Sequence, residues 1–153
     1  MGDNDLALLF KQNPKLEIVN LMSNKNPPFF FVYISFIEAD RISDVAIRSL
    51  CANCPQLNQL NLNGCMYIHS GVLDAIEEYK PNLWKLHLAC CGNLKSNINS
   101  FLYRCDDFLD HVYICSGCFT TDTPRYVKNM NLAITMHIEK DCYEADFGFD
   151  LFG

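Results

Sequence analysis

CPQLNQLNLNGC (residues 54–65) and KPNLWKLHLACC (residues 80–91) carry one apolar frame. Pro55, Leu57, Leu60, Leu62 and Cys65 recur as Pro81, Leu83, Leu86, Leu88 and Cys91, each displaced by 26 residues. Upstream the frame returns as Pro14, Leu16, Val19 and Leu21. A further 26 residues downstream it returns as Leu109, Val112 and Ile114, with Gly117 and Cys118 near the expected cysteine position. Self-similarity at a fixed period marks an array in which each unit supplies a strand and a helix, and neighbouring units bury one another's apolar faces. The expected fold class is therefore α/β, a short right-handed solenoid of about four to five units, with parallel strands on the concave face and helices on the convex face.

The composition agrees. The chain has 153 residues, half of them hydrophobic and a fifth charged, which suits one globular domain. Nine cysteines would point to a disulfide framework in a short secreted protein, but no charged-then-apolar signal segment opens the chain, and Cys65 and Cys91 sit in the repeat frame. The expectation is a reducing, cytoplasmic or nuclear setting, with buried thiols acting as small hydrophobes. Net charge is −6, and residues 139–153 supply −4 of it, from Glu139, Asp141, Glu144, Asp146 and Asp150 against Lys140. The rest is nearly neutral, which argues against nucleic acid as a partner.

Helices should fit between the strands. Val72, Leu73, Ile76 and Tyr79 recur at helical spacing behind Ser70 as an N-cap, and Ser43 or Asp44 caps a segment whose Ile47, Leu50 and Cys51 point inward. Asp3 precedes Pro14 as Asp44 precedes Pro55, so Leu6 and Leu9 fall where Ile47 and Leu50 fall, and Met1 stands inside a unit at its helix start. A terminal unit without a polar cap leaves one face of the core open. Either a partner covers that end or the sequence is a piece of a longer protein.

Leu16 and Leu57 are 41 residues apart, so about 15 residues interrupt the frame, centred on NKNPPFFFVYISFIEAD. The run is too short to span a bilayer, which needs about 20 apolar residues. It is an extra strand or tucked loop, a binding insertion on the rim, or non-coding sequence carried into the translation. Beyond Ile114, Thr121, Asp122 and Pro124 suit a fifth helix start, and Ile134, Met136 and Ile138 alternate with Thr135 and His137 as in a half-buried strand. Residues 1–138 are thus one repeat domain with an insertion at about 25–40, followed by an acidic, aromatic tail over 139–153.

ISDVAIRSLCANCPQLNQLNLNGCMYIHSGVLDAI (residues 42–76) resembles the cysteine-containing subclass of leucine-rich repeats. Its units run C-P-x-L-x-x-L-x-L-x-G-C-x-x-I-T-D, matched here by Cys54, Pro55, Leu57, Leu60, Leu62, Gly64, Cys65 and Ile68, with His69 and Ser70 in place of Thr-Asp. The likeness covers about 3–118. That subclass is typical of F-box/LRR proteins and the antagonist-of-mitotic-exit family. The resemblance thus implies a protein-interaction module that recognises substrates in SCF-type ubiquitin-dependent degradation. An F-box is not visible in these residues, so a Skp-type adaptor enters only through a segment outside them. The other expectations are a stand-alone scaffold or inhibitor without a ligase link, and a non-functional fragment of a longer protein.

Because side chains alternate along a strand, residues between the leucines should line the concave face as a polar wall open to another protein. They are Ile18, Asn20 and Met22, then Gln59, Asn61 and Asn63, then Lys85, His87 and Ala89, then His111, Tyr113 and Cys115. In register, Asn20, Asn61, His87 and Tyr113 form one column. Trp84, in the slot of Asn58, is an anchor for a partner or plain rim surface. The candidate partner-binding residues are Asn20, Met22, Gln59, Asn61, Asn63, Trp84, Lys85, His87, His111 and Tyr113. No catalytic residue, cofactor or metal is expected. Cys115 and Cys118 form a C-x-x-C without a second spaced pair, and His87 and His111 lack a carboxylate beside them. Asp146-Phe147-Gly148 lacks the other kinase motifs, and F-D-L-F in the tail is a docking motif or solvated chain.

Overall fold

A computed structural model describes residues 2–21, 41–79, 81–89, 91–94, 97–105, 107–115 and 133–137. Met22, the insertion at about 25–40, Cys90, Cys118, the helix start at Thr121 to Pro124, Ile138 and the tail 139–153 lie outside the described residues. The elements in chain order are α1 (Asp3–Gln12), β1 (Ile18–Asn20), α2 (Asp44–Asn53), β2 (Gln59–Asn61), α3 (Ser70–Tyr79), β3 (Lys85–His87), α4 (Ile98–Cys105), β4 (His111–Cys115) and β5 (Ala133–His137). All five strands are parallel and lie in the sheet in chain order. Consecutive parallel strands with intervening helices are compatible with a solenoid-like arrangement.

The register is set by the aliphatic frame. Val19 pairs with Leu60, Leu60 with Leu86 and Leu86 with Val112, all at 0% exposure. One residue beyond the short strands the ladder continues, Leu62 N–H donating to His87 and Leu88 N–H to Tyr113. A slip of one residue would turn every leucine to the opposite face, so the burial enforces the pairing. β5 joins with Ile134 opposite Val112 and Met136 opposite Ile114, an offset of 22 rather than 26.

Each helix covers this ladder with one stripe. In α2 the buried residues are Ala46, Ile47, Leu50 and Cys51, and the Ser43 hydroxyl caps the helix by accepting from Val45 N–H at 3.3 Å. In α3 the stripe is Val72, Leu73, Ala75 and Ile76. Two details depart from expectation. Ser70 is the first helical residue rather than the cap, and the Asp44 carboxylate accepts the N–H of His69 just before it at 2.6 Å. Tyr79 is exposed rather than inward, its ring lying 5.8 Å from the Arg48 guanidinium. The same carboxylate device joins the first two helices, where Asp3 accepts from the Ser43 backbone N–H at 3.0 Å and from its hydroxyl. Gly71 makes room for Asp44, since a Cβ there would stand 2.5 Å from its Oδ2.

In the first unit Leu6, Phe10, Val19 and Leu21 are buried, whereas Leu9, aligned with the buried Leu50, is only half-buried and Leu8 is 57% exposed. α4 buries Ile98, Phe101, Leu102 and Cys105. The helices pack in succession, α1 on α2, α2 on α3 and α3 on α4. Exposed ion pairs join neighbours, Arg48 to Glu78 at 2.6 Å and Arg104 to Glu77 through two bonds of 2.7 Å. Such surface pairs add little to stability.

The frame cysteines point inward and donate across units. Cys65 Sγ reaches the Leu21 carbonyl at 3.2 Å, and Cys91 Sγ the Leu62 carbonyl at 3.1 Å. Burial pushes the thiols up, Cys51 and Cys65 to about 12 and Cys54 to about 11 from an ordinary 9.0. Cys105 rises for the same reason. All are free.

Truncating a ladder leucine, Leu60→Ala or Leu86→Ala, should cost about 2–5 kcal/mol in urea denaturation, through lost burial and the cavity left behind. The thiols give a second expectation. The folded chain keeps their protons to higher pH than the unfolded chain, so stability is fully present below about pH 9 and falls as pH rises toward 12. Each thiol steepens that fall by at most about 1.4 kcal/mol per pH unit. Urea midpoints measured across this range should drop, and the drop should be shallower in a Cys51→Ala, Cys65→Ala variant.

Candidate functional site

Opposite the leucines, the strands set polar and aromatic residues in two rows. One runs Ile18, Gln59, Lys85, His111, Ala133, and the other Asn20, Asn61, His87, Tyr113, Thr135. The column of Asn20, Asn61, His87 and Tyr113 is thus assembled by the pairing. Side chains are described in these rows as far as β4, and Met22 is outside the described residues.

The asparagines are engaged locally. Asn61 Oδ1 accepts from Asn63 N–H at 2.9 Å, and Asn63 Oδ1 accepts from Ala89 N–H at 2.8 Å, carrying the sheet's bonding past the end of β2. Gly64, at φ 75°, then turns the chain in a conformation that favours glycine. Asn61 is 0% exposed and Asn63 2%, while Asn20 is also buried. Gln59, Lys85 and His87 are buried to the same degree, so in the wall expected to stand open low exposure runs along the strand residues and is not confined to the asparagines. The physical reason for Asn61 and Asn63 is that short amides beside strand ends bond to the backbone.

The β3–β4 half is different in chemistry. His87 is buried, its ring stacked on Tyr113 with centroids 4.1 Å apart. Trp84 meets His111 edge to face at 5.9 Å. Lys85 is 5% exposed, and its Nζ lies 5.9 Å from the Trp84 ring centroid and 5.6 Å from that of Tyr113. Two rings stabilise the ammonium by cation–π attraction, worth about 0.5–2 kcal/mol each. Neither ion pair of the described residues involves Lys85. In the same row Gln59 Oε1 and His111 Nδ1 are buried without a hydrogen-bond partner among the described residues. Trp84, His111 and Tyr113 are half-buried and bring this cluster to the surface.

The structure thus brings Gln59, Trp84, Lys85, His87, His111 and Tyr113 together, with Asn61 beside His87 and Asn20 beside Asn61 in the same row. The ring contacts of Trp84 could not be found from alternation alone. Its backbone N–H bonds to the Asn58 carbonyl one position before the strand, and the direction of its ring depends on packing. Among the described residues, no three His, Cys, Asp or Glu side chains gather as a metal site, and no helix is long and apolar enough to cross a membrane.

No family model matches this chain. Over 66 residues it is 36% identical to the BTB/POZ domain-containing protein FBL11 of Arabidopsis thaliana. The match takes in 40% of this chain and 7% of that protein, so the chain spans a small part of the relative's length.

Asn63→Ala removes the acceptor of the buried Ala89 N–H and should destabilise by about 1–3 kcal/mol, the cost of leaving that donor unsatisfied. Urea denaturation measures it, and faster hydrogen exchange at Ala89 should accompany it.

Proposed function

We propose that this chain is a non-catalytic protein-interaction module of the leucine-rich repeat type, with the Trp84–Lys85–His111–Tyr113 end of the sheet as its contact face. The observation that carries this reading is the juxtaposition of three half-buried rings and a buried cation on the sheet face opposite the leucine ladder. Tryptophan and tyrosine side chains set in well-packed pockets are typical anchors of protein interfaces. The 26-residue recurrence with cysteines in the frame supports the repeat type, and the partial likeness to a BTB/POZ domain-containing protein supports an interaction role.

The specific role that fits best is substrate recognition in SCF-type ubiquitin-dependent degradation, in the manner of F-box/LRR proteins. A Skp-type adaptor would then join through a segment other than the repeats. A stand-alone scaffold or inhibitor uses the same face and differs only in the fate of the captured protein.

Trp84→Ala should abolish capture of a protein partner from cell extract while leaving the thermal midpoint within a few degrees. Capture undiminished by Trp84→Ala and by Tyr113→Ala would overturn the contact face. Chain-dependent ubiquitination and a shorter half-life of the captured partner are expected for the ligase role; a partner whose turnover ignores the chain assigns the scaffold role instead.

A further inference from the structure

We propose that the Gln59–Lys85–His111 row is a subsite for a side-chain carboxylate, presented by an extended acidic segment of the protein partner. The inference rests on the sheet face being a protein-binding face, and adds the chemistry of what binds there. Lys85 is 5% exposed and Gln59 6%, so both groups have given up most of their water. The rings of Trp84 and Tyr113 attract the ammonium but supply no anion. Gln59 Oε1 and His111 Nδ1, the register neighbours of Lys85 on either side, stand buried without partners among the described residues. Among the described residues no carboxylate pairs with Lys85, a buried cation without a counter-charge is costly, and a carboxylate answers it directly.

The donors fit an acid. Lys85 offers its ammonium, His111 offers Nδ1–H in the tautomer that carries the proton there, and the Gln59 amide, turned over, offers its NH₂, since tautomer and amide orientation follow the hydrogen-bond network. Entry is past Trp84, His111 and Tyr113, the half-buried members of the cluster. One cation suits one carboxylate, whereas a nucleic acid needs a basic patch to track its phosphates. Arg48 and Arg104 do not supply that patch, being paired on the helices with Glu78 and Glu77. The chain's own acidic residues, Glu139, Asp141, Glu144, Asp146 and Asp150, carry the same chemistry. The experiment separates that source from a partner.

The full chain is titrated with an end-blocked peptide of alternating glutamate and alanine, about eight residues long, and with its glutamine counterpart. The readout is the emission of Trp84, the single tryptophan. The glutamate peptide should shift that emission and bind at least about tenfold more tightly than the glutamine peptide, as expected for a desolvated charge pair. Lys85→Gln should remove the preference, and Lys85→Arg should keep it, which separates lost charge from lost folding. Equal binding of both peptides would overturn the subsite and leave the sheet-face reading intact. A Trp84 emission indifferent to the glutamate peptide would also overturn the subsite, while partner capture remains the separate test of the face. Replacing the five acidic residues at 139–150 by their amides should leave glutamate-peptide affinity unchanged; a gain of about tenfold would show that the chain fills its own row and would overturn the assignment to a partner.

Discussion

The register of the parallel sheet depends on one constraint: Val19, Leu60, Leu86 and Val112 must stack on the same face, out of water. The first three strands are only three residues long, too short for backbone bonds alone to fix their alignment. The aliphatic ladder fixes it instead, because the alternative register would expose all the leucines at once. The helices answer the same demand, each contributing a stripe that closes the ladder from one side. Cysteine serves in this core because its small thiol fits between units and still donates weakly to the carbonyl of the preceding unit.

The opposite face obeys a different rule. Leucines can be repeated because every unit needs the same dry interior, but a polar residue on a sheet must find partners. The side-chain oxygens of Asn61 and Asn63 find them in the backbone at the strand end, while Asn63 Nδ2 is buried without a hydrogen-bond partner among the described residues. Lys85 finds ring faces, and Gln59 Oε1 and His111 Nδ1 have no hydrogen-bond partner among the described residues. The face thus combines amide oxygens that extend the sheet's bonding with a ring-lined cluster around Lys85.

Much of the fold was legible in residues 54–91 alone. The displacement of 26 aligned β2, β3 and β4, and the same displacement carries Val72, Ala75 and Ile76 onto Ile98, Phe101 and Leu102 of α4. That helix could have been found by sliding the frame once more. Tyr79 read as inward because helical spacing takes no account of where a helix stops; at its last residue the ring instead lies against Arg48. The inner-face residues were legible as a row but not in their burial, since alternation gives the direction of a side chain and not the neighbours that close over it. Asp3 and Asp44 showed themselves as helix-start residues, whereas their reach to the next unit's backbone is a long-range bond that local spacing does not contain.

By itself the sequence determined the period, the residues that form the ladder and the identity of the face opposite it, because burial of a repeated apolar frame leaves one consistent register. Only the tertiary structure decided how deeply the opposite residues are buried and what they touch. That outcome rests on contacts between units, rings over Lys85 and amides on the next strand's N–H, and such contacts depend on side-chain directions that no one-dimensional pattern encodes.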